Sequence, residues 1–169
     1  MENKEQVESF FSRNRRGILA AIIFVIVVIA GVITTLCILN IRNTEATKKL
    51  EAFVETYNSL RPNFSDAENE DVKALLSGLT ELGGNYSNYP AARAFSMAGD
   101  IYKEQKDWKN AESMWLKSAE KGSKTFLAPF SYYNAGVAAT ESGNTEQAVE
   151  HFQKSIDFAD FPSAAHAQF

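Results

Sequence analysis

Polar and apolar positions divide the chain into three regimes. Met1–Arg16 is short and polar, with Val7, Phe10 and Phe11 placed as interfacial anchors. From Gly17 to Ile41 the run GILAAIIFVIVVIAGVITTLCILNI holds no charged residue. At ~1.5 Å per residue a helix of this length outreaches a ~30 Å hydrocarbon core, and it lacks the polar face that a water-soluble helix needs. The run predicts a single transmembrane helix. Beyond Arg42 the pattern changes to a spacing of three and four. Leu50, Phe53, Val54, Tyr57 and Leu60 predict a helix over 44–60. No proline or glycine falls between Gly31 and Pro62, so this helix runs on from the apolar run or restarts after a short break. Arg61-Pro62-Asn63 ends it. Ser65 or Asp66 is expected to cap a helix over 69–82 striped with Val72, Leu75, Leu76, Leu79 and Leu82, and Gly83-Gly84-Asn85 to stop it. No stretch alternates with period two, so the expected fold class is all α.

From Ala91 the pattern repeats. A helix over 91–105 carries Phe95, Ala98, Gly99 and Tyr102; Asp107 caps a second with Ala111, Met114, Trp115, Leu116 and Ala119, ended by Gly122. A helix over 129–141 then carries Tyr132, Ala135, Gly136 and Ala139. After the turn at Gly143-Asn144, a last one carries Ala148, Phe152, Ile156 and Phe158, with Asn144 and Gln147 spaced as a capping box. Phe95 and Tyr132 stand 37 residues apart, as do Ala98 and Ala135, Gly99 and Gly136, Ala111 and Ala148, Trp115 and Phe152, and Ser118 and Ser155. One offset shared by six pairs is an internal repeat. Its small residues let paired helices approach, and its aromatics are expected to fill the spaces between neighbouring pairs.

These positions resemble the tetratricopeptide repeat, a helix-turn-helix unit with a bulky residue, a small pair, a tyrosine, and later alanine and an aromatic. Phe95, Ala98, Gly99, Tyr102, Ala111 and Trp115 match it in a first unit, and Tyr132, Ala135, Gly136, Ala148 and Phe152 in a second. The departures are a spacing of 37, with an insertion near Ser123–Thr125, and Ala139 where the second tyrosine would stand. The resemblance implies a solenoid whose first helices line a concave groove that binds proteins. Carried over, the groove positions are Arg93, Ser96, Met97, Asp100 and Lys103, then Phe130, Tyr133, Asn134, Val137 and Thr140. Phe130 and Tyr133 suit an apolar helix or an extended segment. The resulting organisation is a leader (1–16), a span (17–41), a helical stalk with a degenerate helix pair (42–90), and repeats over 91–169. The repeats subdivide into units at 91–128 and 129–161 and the start of a third at 162–169. That third unit lacks a polar capping helix, so the array is expected to continue or a partner to cover its end.

Charge adds topology. Arg13, Arg15 and Arg16 cluster before the run, which favours a cytoplasmic N-terminus and an extracytoplasmic body. From Arg42 on, thirteen basic residues face eighteen acidic ones, which argues against a nucleic-acid surface. Cys37, the single cysteine, lies inside the run, so neither a disulfide scaffold nor a cysteine zinc site is available beyond it. His151 and His166 are the histidines, and His151, beside Glu150, is expected to be exposed. No phosphate loop, nucleophile elbow or metal spacing occurs, so no catalytic residue and no cofactor is expected. A short basic leader, one span and a repeat tail also resemble the ancillary subunits of the bacterial Sec translocon. That resemblance implies the translocon, secreted chains and periplasmic chaperones as partners. An alternative is a cytosol-facing anchored repeat receptor like those of mitochondrial import; a second is a non-catalytic part of an enzyme complex.

Overall fold

The computed structural model describes residues 2–158, with side chains from Asn14 onward. Arg13 as a side chain, and the start of the third unit at 162–169 with His166, lie outside the described residues. The chain divides into two compact units, Met1–Ile41 and Arg42–Phe169. Every described element is helical and no strand occurs among the described residues.

The first helix, α1, is assigned over Glu2–Leu60. Its apolar part in the first unit buries nothing: Phe24, Val27, Ile33 and Ile41 are all more than half exposed. Among the described residues this is one helix long and apolar enough to cross a membrane, with a mean hydropathy of 3.2 in its most apolar window. A core helix of a water-soluble protein would hide such side chains. The two threonine hydroxyls of the run are satisfied within the helix. Thr34 Oγ1 donates to the Ala30 carbonyl at 2.8 Å and Thr35 Oγ1 to the Gly31 carbonyl at 2.9 Å. That is what a hydrocarbon environment demands of a hydroxyl.

In the second unit, residues 42–60 of α1 do not stand clear as a stalk. Leu50 and Tyr57 are buried in one core with Leu75, Leu79, Met97 and Ile101. A short 3₁₀ turn, Arg61–Asn63, follows at Pro62. Phe64 is then buried edge-on to Tyr57, ring centroids 4.8 Å apart. Helix α2 spans Glu70–Asn85. Its cap is Asn69, whose Oδ1 accepts from the Asp71 and Val72 amides, and not Ser65 or Asp66; the Asp66 carboxylate is engaged by the Glu68 amide in its own turn. α2 ends at Asn85, the last residue of the expected Gly83-Gly84-Asn85 stop, and Gly83 also serves packing: a Cβ there would sit 2.7 Å from the Phe95 ring. Helices α3 (Asn88–Glu104), α4 (Trp108–Lys121), α5 (Leu127–Glu141) and α6 (Thr145–Ile156) complete the described chain. α3 and α5 begin earlier than expected, with Pro90 and Pro129 in their first turns, where a missing N–H costs nothing. Each large side chain sealed in this core contributes about 1.5–3 kcal/mol.

The turns between paired helices are copies of one another. Lys106 (φ 57) and Gly143 (φ 78) are both left-handed and stand 37 residues apart. Around Lys106, Gln105 N bonds to Ile101 O, Lys106 N to Lys103 O, Asp107 N to Tyr102 O and Ala111 N to Asp107 O. Around Gly143, Ser142 N bonds to Ala138 O, Gly143 N to Thr140 O, Asn144 N to Ala139 O and Ala148 N to Asn144 O. All four bonds recur at the sequence offset, so the repetition extends to the backbone. The caps differ. Asp107 accepts from the Asn110 amide, whereas Asn144 makes no side-chain cap bond and the expected capping box does not form.

Candidate interaction surface

The paired helices meet through a glycine and an aromatic ring. A Cβ on Gly99 would lie 2.7 Å from Trp115 Nε1, and one on Gly136 would lie 2.6 Å from Phe152. The aromatics therefore seat on the glycine of their own pair. Trp115 also joins Ala111, Ala135 and Ala138 in a second core that reaches the next pair, whereas Phe152 stays half-buried beside Tyr133, ring centroids 5.5 Å apart. Ala98, Ala111, Ala135 and Ala148 are buried at the close approaches, and Tyr102 and Tyr132 are half-buried. Ser118 fixes α4 to both neighbours: its Oγ lies 2.8 Å from the Ala92 carbonyl and 2.8 Å from Ser131 Oγ. Ser155, its counterpart, donates instead to the Phe152 carbonyl of its own helix.

α1 and α2 show the same packing with the partners exchanged. Here the ring, Phe53, is on the first helix and the glycine, Gly78, on the second. With ring and glycine exchanged, the pair does not match the repeat pattern position by position. Residues 42–60 also pack beside α3. Among the expected groove positions of α3, Met97 is fully buried in the core with Leu50 and Tyr57, and Ser96 is nearly so. As surface for a ligand, Met97 is corrected by this burial: the chain's own α1 covers it. Asp100 Oδ2 accepts from the Tyr57 hydroxyl at 3.3 Å, again across to α1. Burial pushes the Asp100 carboxyl up, against the pull of Arg93, Lys103 and the Tyr57 hydrogen bond. Burial likewise raises the Tyr57 hydroxyl, helped by the Asp100 charge. Arg93 is half-buried, and Lys103 is exposed and paired with Glu104 at 3.2 Å. On α5, Tyr133, Asn134 and Val137 are half-buried and Phe130 is exposed.

Three contacts lay outside the sequence reading. His151 is buried, not exposed, and its Nε2 lies 2.9 Å from Glu112 Oε1, joining α6 to α4. Glu112 is 39 residues away, so nothing local pointed to it. The Tyr57–Asp100 bond was equally invisible. Tyr86 forms a clasp at the α2–α3 junction: its hydroxyl donates to Glu45 at 2.8 Å and accepts from Lys49 at 3.0 Å. Arg42 and Lys49 both approach its ring face, and Lys121 donates to its carbonyl. The hydrogen bonds to Tyr86 and Glu45 raise the Lys49 ammonium, and those from Lys49 and Tyr86 lower the Glu45 carboxyl. A shallow cleft of about 360 Å³ runs beside this clasp, lined by Phe53, Gly78, Glu81 and Leu82. No cluster of metal-ligating residues occurs among the described residues.

These features define an array of antiparallel α-hairpins whose packing and turns repeat with the sequence. Over 98 residues the chain is 31% identical to a TPR repeat-containing protein of Treponema pallidum (strain Nichols), a match covering 57% of this chain and 41% of that relative. The chain thus spans about two fifths of the relative's length. No family model matches the chain, and no solved structure matches it. The likeness is to a repeat-containing protein and agrees with the recurrence of helix pairs described above.

Proposed function

We propose that this protein is a single-pass, membrane-anchored tetratricopeptide-repeat scaffold that holds other proteins on the extracytoplasmic side, in the setting of protein secretion or envelope assembly. The observation that carries this reading is the pairing, on one chain, of an exposed apolar helix at the N-terminus with helix pairs whose glycine–aromatic contacts and turns recur at 37 residues. The binding surface is assigned to α5, at Phe130, Tyr133, Asn134 and Val137, because the matching face of α3 is largely covered by α1. An exposed or half-buried apolar face of this kind suits an apolar helix or extended segment of a partner. The bacterial source of the similar protein favours an envelope setting over mitochondrial import. Arg15 and Arg16, both exposed, support a cytoplasmic N-terminus.

Orientation is tested with a single reporter. In a Cys37→Ser background, Lys109→Cys is treated with a membrane-impermeant maleimide in intact cells whose outer barrier has been opened. Labelling before lysis is expected. Labelling that requires lysis of the inner membrane overturns the extracytoplasmic placement and supports the cytosol-facing alternative.

A further inference from the structure

Arg42 directly follows the apolar run, so the edge of the second unit on which Arg42 lies is, by chain connectivity, the edge nearest any bilayer that the run crosses. Within that unit the edge is well defined. The Arg42 guanidinium donates to the Asn85 carbonyl at 3.0 Å, and Lys121 Nζ donates to the adjoining Tyr86 carbonyl at 3.2 Å. The α2–α3 and α4–α5 connections therefore lie together at the Arg42 end. They are joined again by Tyr89 and Phe126, whose ring centroids are 5.9 Å apart. These rings are not core: Tyr89 is 39% exposed and Phe126 is 65% exposed.

The charge of this edge runs against that of its unit. Asn85–Tyr89 carries no charge, and Lys121–Phe126 carries Lys121 and Lys124 with no acid. Arg42 adds a third cation, and Glu45 beside it is neutralised by Lys49 at 2.9 Å. Two further acids lie near this edge, Glu120 in the last turn of α4 and Glu81 one turn before Asn85 in α2. At the opposite edge the connections and the adjoining helix ends hold Asp66, Glu68, Glu70, Asp71, Asp107, Glu141 and Glu146 against Arg61 and Lys106. Exposed aromatics with cations are the side chains that settle at a lipid–water interface, where an amphipathic ring meets the headgroups and a cation meets anionic lipid.

We infer that this edge, with Tyr89 and Phe126 as anchors and Arg42, Lys121 and Lys124 as the charged rim, docks on the surface of a bilayer containing anionic lipid. The inference rests on the anchoring reading above and adds that the array lies against the membrane, with its acidic edge turned away from it.

The test uses the full chain in nanodiscs of phosphatidylcholine with and without phosphatidylglycerol. In a Cys37→Ser background an environment-sensitive dye is attached at Ser123→Cys, in the α4–α5 connection, or at Val149→Cys on α6, which is 63% exposed. Nitroxide lipids labelled near the headgroup are expected to quench the dye at 123 several-fold more than at 149. The difference should shrink with Phe126→Ser, with Lys124→Glu, or without phosphatidylglycerol. Equal, weak quenching at both sites in disc-bound protein overturns the inference and leaves the anchor standing. A blue-shifted dye at 123 that nitroxide lipid does not quench also overturns it, because a protein then covers the patch. Failure of the chain to stay with the disc overturns the anchoring reading itself.

Discussion

Gly143 and Lys106 hold the same left-handed backbone position in two copies of one turn. A Cβ on Gly143 meets nothing within 4 Å, so its replacement tests backbone conformation alone. Gly143→Ala is expected to cost about 1 kcal/mol, and Lys106→Gly to return a gain of up to about the same size, read as opposite shifts in a denaturant midpoint. Gly99→Ala is a different case, because the added methyl meets the rigid indole of Trp115. A loss of about 1–3 kcal/mol is expected from overpacking. Asp100 has a folded-state pKa raised by burial. In the pH range just above the ordinary aspartate value, the folded protein therefore binds more protons than the unfolded chain. Stability contributed by this group is present in acid and is lost as pH rises through the folded pKa. Asp100→Asn keeps an acceptor for Tyr57 without the buried charge. It should raise the unfolding midpoint at neutral pH, with the gain shrinking toward acid.

At the scale of elements, the helices and their spacing were legible because each carries an apolar stripe at helical period and each pair repeats at one offset. The Gly99–Trp115 and Gly136–Phe152 contacts were legible as residue types, although not as partners, since nothing in a sequence says which ring meets which glycine. The α1–α2 pair was hidden for a physical reason: Phe53 and Gly78 make the same contact with the helices exchanged, which a position-by-position comparison cannot register. The cap at Asn69 was missed because three side chains, Ser65, Asp66 and Asn69, can each accept an amide, and the turn geometry chooses among them. Long-range polar pairs such as His151–Glu112 and Tyr57–Asp100 have no local signature. The candidate groove was read from the resemblance alone, so it could not foresee that α1 would bury Met97. Ser118 ties three helices where Ser155 ties none. Ser118→Ala should therefore cost about 1–2 kcal/mol, because Ser131 loses its buried partner. Ser155→Ala should cost less, and thermal unfolding of the two variants side by side checks the order.

At the scale of the whole molecule, the proposed function gives placement to the apolar helix and recognition to the repeat array. The side chains of the apolar run are exposed within the first unit. If the run anchors the protein as proposed, the chain should resist extraction by alkaline carbonate while releasing with detergent. Phe130, Tyr133 and Val137 leave accessible apolar positions along α5. If the α5 face holds other proteins as proposed, a photoreactive residue at Val137 in the full chain, irradiated in intact cells, gives discrete higher-mass adducts with extracytoplasmic proteins. Those adducts are absent when the same residue stands at Lys109 on α4. No adduct from Val137 under conditions of active secretion, or an identical pattern from both positions, would contradict the proposal.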